Sequence, residues 1–100
     1  MNNEIAILIL AAGKSTRMKS IKQLIEIEGK TLITIAIENA LKTSNVSVYC
    51  ILGAYFERIK NELIQYKSLQ ILENKNFENG LSSSIKTGIN HIKKNIVLYF

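Results

Sequence analysis

The sequence contains no aspartate, no proline and no tryptophan, and it has a single cysteine. Every acid is a glutamate, so the short carboxylate most often found gripping a hard cation is missing from the chain. Cys50 stands in an apolar run without partners for metal binding or catalysis, and is read as a reduced core residue. No apolar run approaches the length of a membrane span. The start, Met1-Asn2-Asn3-Glu4, lacks the cationic head and apolar core of a signal peptide, so a cytoplasmic location is expected. Arginine is scarce too. The net charge of +5 comes from lysines scattered along the chain rather than gathered into a basic run interleaved with aromatic residues. That is a solvated surface attractive to anions rather than a nucleic-acid stripe, and no nucleic-acid partner is expected.

What is present is organised around Ile5 to Met18. Ile5 to Leu10 is a continuous apolar run of a length that suits a strand buried on both faces. It breaks at once into Ala11, Ala12 and Gly13, then into Lys14, Ser15, Thr16 and Arg17. Small residues let backbone N–H groups approach a ligand closely, and the two cations supply charge for something anionic. The stretch reads as a phosphate-gripping loop at the carboxyl end of a parallel strand. It is not a P-loop. Gly13-Lys14-Ser15-Thr16 supplies half of that motif, but the position where its first glycine belongs is Leu8, inside the strand. Nor is there a dinucleotide fingerprint, since Gly13 has no glycine neighbours.

The remainder alternates strand and helix signals. Leu24-Ile25-Glu26-Ile27 is a candidate short strand, closed by a turn at Glu28-Gly29-Lys30. Thr31 should cap a helix reaching about Lys42, with Leu32/Ile33, Ala36/Ile37 and Ala40/Leu41 on its apolar face. Val46 to Leu52 is a second strand. A helix from about Tyr55 to Tyr66 follows, and Leu69 to Leu72 forms a third strand. A third helix is expected from Leu81 to Lys93, with Leu81, Ile85, Gly88, Ile89 and Ile92 on one side and His91 in solvent; Asn95 to Phe100 gives a fourth strand. This alternation predicts βαβ units, a mostly parallel sheet and one domain over residues 1–100. An apolar strand at the very end, with no turn after it, reads as the N-terminal portion of something longer.

A second informative stretch is the loop from Asn74 to Gly88, which reaches its helix through Ser82, Ser83 and Ser84. A helix N-terminus offers free N–H donors, and serines add adaptable hydrogen bonds. The simpler reading is capping by Ser82 or Ser83.

Leu10 to Met18, followed by Lys22-Gln23-Leu24 and Gly29-Lys30-Thr31-Leu32, resembles the MobA/MocA-type NTP transferases, in particular the molybdenum cofactor cytidylyltransferases. Asn74, Gly80, Leu81, Ser84, Ile85 and Gly88 match a second motif of that family, with Phe77 at its tryptophan position. Ile21 departs from the proline usual before the lysine. The resemblance implies a three-layer α/β/α fold, with a Rossmann-like sheet of the nucleotidyltransferase (nucleotide-diphospho-sugar transferase) type, here incomplete. It implies transfer of a nucleoside monophosphate, CMP from CTP, to a phosphate-bearing acceptor such as molybdopterin, with loss of pyrophosphate. Nucleotide contacts would come from Leu10, Ala11, Ala12, Gly13, Lys14 and Ser15. Arg17 would steady the pyrophosphate, Lys22 the α-phosphate, and Gly80 and Ser84 would serve the base and ribose. Mg²⁺ is implied, its aspartate falling beyond residue 100; Glu73 and Glu78 are read as solvated. A guanylyltransferase, a sugar-phosphate NTP transferase and a non-catalytic nucleotide-binding module stay open as alternatives.

Overall fold

A computed structural model describes residues 5–13, 25–92 and 95–99. Four parallel strands form the sheet: β1 (Ile5–Ala11), β4 (Val46–Leu52), β5 (Leu69–Glu73) and β6 (Asn95–Tyr99), in the spatial order β5-β4-β1-β6. A small antiparallel hairpin, β2 (Glu26–Ile27) with β3 (Lys30–Thr31), stands apart from it. Among the described residues three α-helices connect the strands: α1 (Leu32–Leu41), α2 (Phe56–Leu63) and α3 (Leu81–His91). The chain runs outward from β1 through β4 to β5, then returns through α3 to lay β6 on the other side of β1. The order of strands therefore reverses at β1, where sheets of this kind bind ligands beyond their carboxyl ends.

The expected three-layer α/β/α architecture is the one observed, and alternation along each strand sorts side chains to the two faces. Ile9, Ala11, Val48, Cys50, Leu52 and Leu69 meet Ile33 and Ile37 of α1 and Ile59 and Leu63 of α2. Ala6, Leu8, Ala12, Tyr49 and Ile51 form a second core with Ile92, on the side covered by α3. Cys50 is fully buried, and that burial pushes its thiol up to about 12, as befits an inert core residue. His91 is exposed as expected, its ring lying edge-on to Tyr49 at 6.3 Å.

Thr31 caps α1 as anticipated: its backbone is extended and its hydroxyl accepts the Thr34 N–H at 3.3 Å. Other expectations need correcting. Among the described residues the first short strand is Glu26–Ile27, and it pairs with Lys30–Thr31, which were expected as the end of the turn and the helix cap rather than as a strand. Glu28 and Gly29 both have positive φ, 54° and 85°, the geometry a two-residue hairpin turn demands. Strands this short carry no periodic signal. Helix α2 stops at Leu63 rather than near Tyr66, because the Tyr66 N–H closes a tighter turn onto the Leu63 carbonyl. The Tyr66 hydroxyl meanwhile donates to Glu38 on α1 at 2.7 Å.

Helix α3 ends at His91 and is also rotated from the expected orientation. Leu81 and Ile89 are 52% and 55% exposed, whereas Ser84, Gly88 and Ile92 face the sheet. Leu8 of β1 occupies the space beside Gly88, so a Cβ added there would collide with Leu8 Cδ2 and lie 3.0 Å from its Cδ1. Small residues let α3 sit this close; a leucine on that line would hold it off. Leu8 is fully buried, and its Cγ would also lie 3.2 Å from the added Cβ. Gly88→Ala should therefore cost about 1–3 kcal/mol through overpacking, offset in part by the ~1 kcal/mol that alanine adds to helix propensity. Urea unfolding measures it, and an unchanged midpoint would mean that α3 packs farther out.

Glu38 fastens the hairpin to this frame. It accepts Lys30 Nζ at 2.7 Å and the Tyr66 hydroxyl, and these bonds hold its carboxyl below the ordinary 4.5. Burial, and then the glutamate, push the Tyr66 phenol up to about 12. A depressed carboxylate stabilises the fold above its unfolded value and loses that contribution as pH falls through its folded value. Glu38→Gln should therefore melt below wild type at pH 7, with the difference shrinking below pH 4.5. Melting curves between pH 7 and 2 check the sign; a gap constant with pH would contradict it.

Candidate functional site

Strands β1, β4 and β5 finish in register, Ala11 beside Leu52 and Leu52 beside Glu73, so their loops leave from one edge. The loops are sewn together by backbone. The Ala54 N–H donates to the Ala12 carbonyl at 3.0 Å, and the Asn74 N–H to the Leu52 carbonyl at 2.7 Å. Between them sits Gly53. A Cβ there would lie 2.5 Å from Phe77 Cβ and 3.0 Å from Ala12 Cβ. Glycine is required here for space, so that the loops after β1, β4 and β5 can meet.

Asn74 is the polar counterpart of this junction. Its residue is 2% exposed, yet every side of its carboxamide is engaged. Nδ2 donates to Ser83 Oγ at 2.9 Å and to Ser84 Oγ at 3.0 Å, while Oδ1 accepts the Asn76 N–H at 2.9 Å. A short 3₁₀ turn, Phe77–Asn79, then leads to Gly80, which has φ 90° and is the N-cap of α3. Neither Ser82 nor Ser83 caps that helix, contrary to the capping reading. The Ser83 hydroxyl turns back instead, 2.7 Å from the Gly80 carbonyl and 3.0 Å from that of Asn76. A polar cleft of about 340 Å³ opens beside this loop, lined by Asn76, Asn79, Ser82 and Lys86 among others.

The sequence-derived site residues are thus placed unevenly. Leu10 is half-buried, Ala11 and Ala12 are buried, and Gly13 is exposed at the end of β1. Gly80 and Ser84 lie at the start of α3, with Gly80 exposed and Ser84 4% exposed beneath it. The structure brings these two groups to one sheet edge, with Gly53 and Phe77 between them. Lys14, Ser15, Arg17 and Lys22 lie outside the described residues. Sequence reasoning missed Gly53 and Ala54, although a small pair directly after a buried strand repeats the signal that marked Ala11 to Gly13. Glu73 and Glu78 are exposed, and no three His, Cys, Asp or Glu side chains among the described residues gather to hold a metal ion. No helix among them is long and apolar enough to cross a membrane.

The family model for the MobA-like NTP transferase domain matches residues 7–99. The chain belongs to that family. Among curated proteins it is similar to the bifunctional protein GlmU of Campylobacter fetus, 38% identical over 72 residues, covering 69% of this chain and 16% of that protein. GlmU of Koribacter versatilis is 40% identical over 77 residues, covering 74% and 16%. Among solved structures it resembles Rv0371c from Mycobacterium tuberculosis, with a TM-score of 0.81 and 18% identity over 98% of this chain and 51% of that one. HddC from Yersinia pseudotuberculosis, complexed with GMP-PN, gives a TM-score of 0.72 and 22% identity, covering 93% and 46%. At those identities the solved structures establish the fold. The chain spans about a sixth of the curated relatives it matches and about half of these two solved neighbours.

Gly53→Ala should cost about 1–3 kcal/mol, because the nearest obstacle is Phe77 Cβ rather than a movable side-chain tip. Denaturant titration reads it, and a loss under about 0.5 kcal/mol would show that the loops part freely.

Proposed function

We propose that the protein carrying this chain is a nucleotidyltransferase that moves a nucleoside monophosphate from an NTP to a phosphate-bearing acceptor. The observation that carries this reading is the meeting of both family motifs at the carboxyl edge of the sheet, through Ala12, Gly53 and Phe77. An acceptor phosphate oxygen forms a bond to the α-phosphorus, the α–β bridging bond breaks, and pyrophosphate departs with the electron pair. Such a step depends on in-line placement and on neutralising charge that shifts onto the phosphate oxygens.

In this scheme backbone N–H groups near Ala12, Gly13 and Lys14 receive the triphosphate, with Leu10, Ala11 and Ser15 shaping the same cradle. Arg17 stabilises the leaving pyrophosphate and Lys22 the α-phosphate. Gly80 borders the base and ribose, and Ser84 supports it from beneath, since its hydroxyl is already held by Asn74. Mg²⁺ would neutralise the triphosphate in a protein of this family. No three His, Cys, Asp or Glu side chains among the described residues gather to supply a ligand set for it.

CTP as donor and molybdopterin as acceptor are the finer form of the proposal, supported by Leu10-Ala11-Ala12-Gly13 in the signature. Guanylyl transfer is the second reading, favoured by the guanine nucleotide analogue in the HddC complex. A cytoplasmic location accompanies either. Turnover with the four NTPs in the complete protein separates them, and activity with none would reject nucleotidyl transfer. Arg17→Ala and Lys22→Ala should each lower kcat by about a hundredfold or more while leaving the melting temperature unchanged. Near-normal rates in both would remove their assignment.

A further inference from the structure

The second motif places an asparagine, Asn74, where the chain leaves β5, and the structure shows that this residue faces its own protein. With 2% exposure and three side-chain hydrogen bonds, its carboxamide has little left to offer a ligand. What it touches is informative. Its backbone is fastened to the end of β4 through Leu52, and Oδ1 sets the direction of the following loop through Asn76. Nδ2 holds two consecutive serines in the first turn of α3. One of them, Ser83, turns its hydroxyl toward the carbonyls of Asn76 and Gly80, which closes the loop on itself.

We propose that Asn74 is a positioning residue for the nucleotide: by joining the ends of β4 and β5 to the first turn of α3, it fixes Gly80 at the edge shared with Ala12 and Gly13. This rests on the functional reading above and deepens it. A donor is needed at this position. An aspartate would keep the bond to the Asn76 N–H, but could hold Ser83 only if that hydroxyl left the two carbonyls it now serves.

The test compares Asn74→Ala and Asn74→Asp with wild type in the complete protein, using the NTP on which the wild type is most active. Both variants should raise KM for the NTP about tenfold and leave kcat within about threefold, because orientation of the bound nucleotide is lost while Arg17 and Lys22 are left unaltered. Amides of residues 81–84 should exchange hydrogen faster. Agreement between the neutral and the charged variant attributes the effect to the missing donor. An unchanged KM in both, even with a lowered melting temperature, overturns the proposal and leaves Asn74 a packing residue. If neither variant folds, Ser83→Ala removes one of the two acceptors from a half-buried position. A KM raised about threefold supports the proposal and an unchanged one overturns it. A wild type active with none of the four NTPs overturns the functional reading itself, a different result from wild-type activity with unaltered variants.

Discussion

A carboxamide buried at the rim of a sheet is tolerable only when its donors and acceptor all find partners, and at Asn74 they do. An unpaired polar group in that position would cost on the order of 1–3 kcal/mol, so the partners hold one another in place. Those partners lie on two segments, the turn after β5 and the first turn of α3, while the backbone N–H of the same residue is bonded to the end of β4. One residue, through its side chain and its backbone together, therefore fixes the relative placement of three segments. The neighbouring close approach of Gly53 to Phe77 and Ala12 does the same by exclusion of space. Polar matching and steric closeness act on the same junction, and Ala12 at the end of β1 is joined to it through Gly53 and Ala54.

The two helical layers solve different packing problems. On the α1/α2 side, isoleucines and leucines from helix and strand interdigitate over Cys50 and Leu52, and the layer is held by ordinary apolar burial. On the other side α3 meets the sheet through Ser84 and Gly88, with Leu8 projecting into the room that glycine leaves. A helix so close to the sheet brings its N-terminus within hydrogen-bond reach of the strand ends. Had α3 presented Leu81 and Ile85 to the sheet, the added bulk would have lifted it outward and separated Ser83 and Ser84 from Asn74. The serines are thus part of the packing surface as well as of the loop.

Much of this was legible in the residue pattern. Apolar runs of Ile, Leu and Val separated by helical spacings specified a parallel βαβ sheet, and Thr31 announced its helix correctly. The two motifs were also visible as small and polar residues following buried runs. What escaped has a physical reason in each case. The hairpin of Glu26–Ile27 with Lys30–Thr31 is too short for periodicity, and its turn is marked only by Glu28-Gly29. The rotation of α3 escaped because counting apolar side chains rewards leucine and isoleucine, whereas contact with Leu8 rewards the absence of a side chain. The end of α2 comes with Tyr66 turning its N–H onto Leu63 while its hydroxyl bonds Glu38 on α1, a contact between residues far apart in sequence.

Charge and shape are divided between residues in a way that clarifies the absence of aspartate. The groups that set the geometry of the described edge, Ala12, Gly53, Asn74, Phe77 and Gly80, are all neutral, so assembling the edge involves no desolvation of an ion. Cations follow Gly13 directly in sequence at Lys14 and Arg17. A carboxylate in place of Asn74 would bring negative charge to the same junction, against the approach of a polyphosphate, and would bury it at a position 2% exposed. Asparagine offers the same shape with donors and without charge. The edge is therefore compatible with an anion on two counts, one steric and one electrostatic, and neither depends on which base the nucleotide carries.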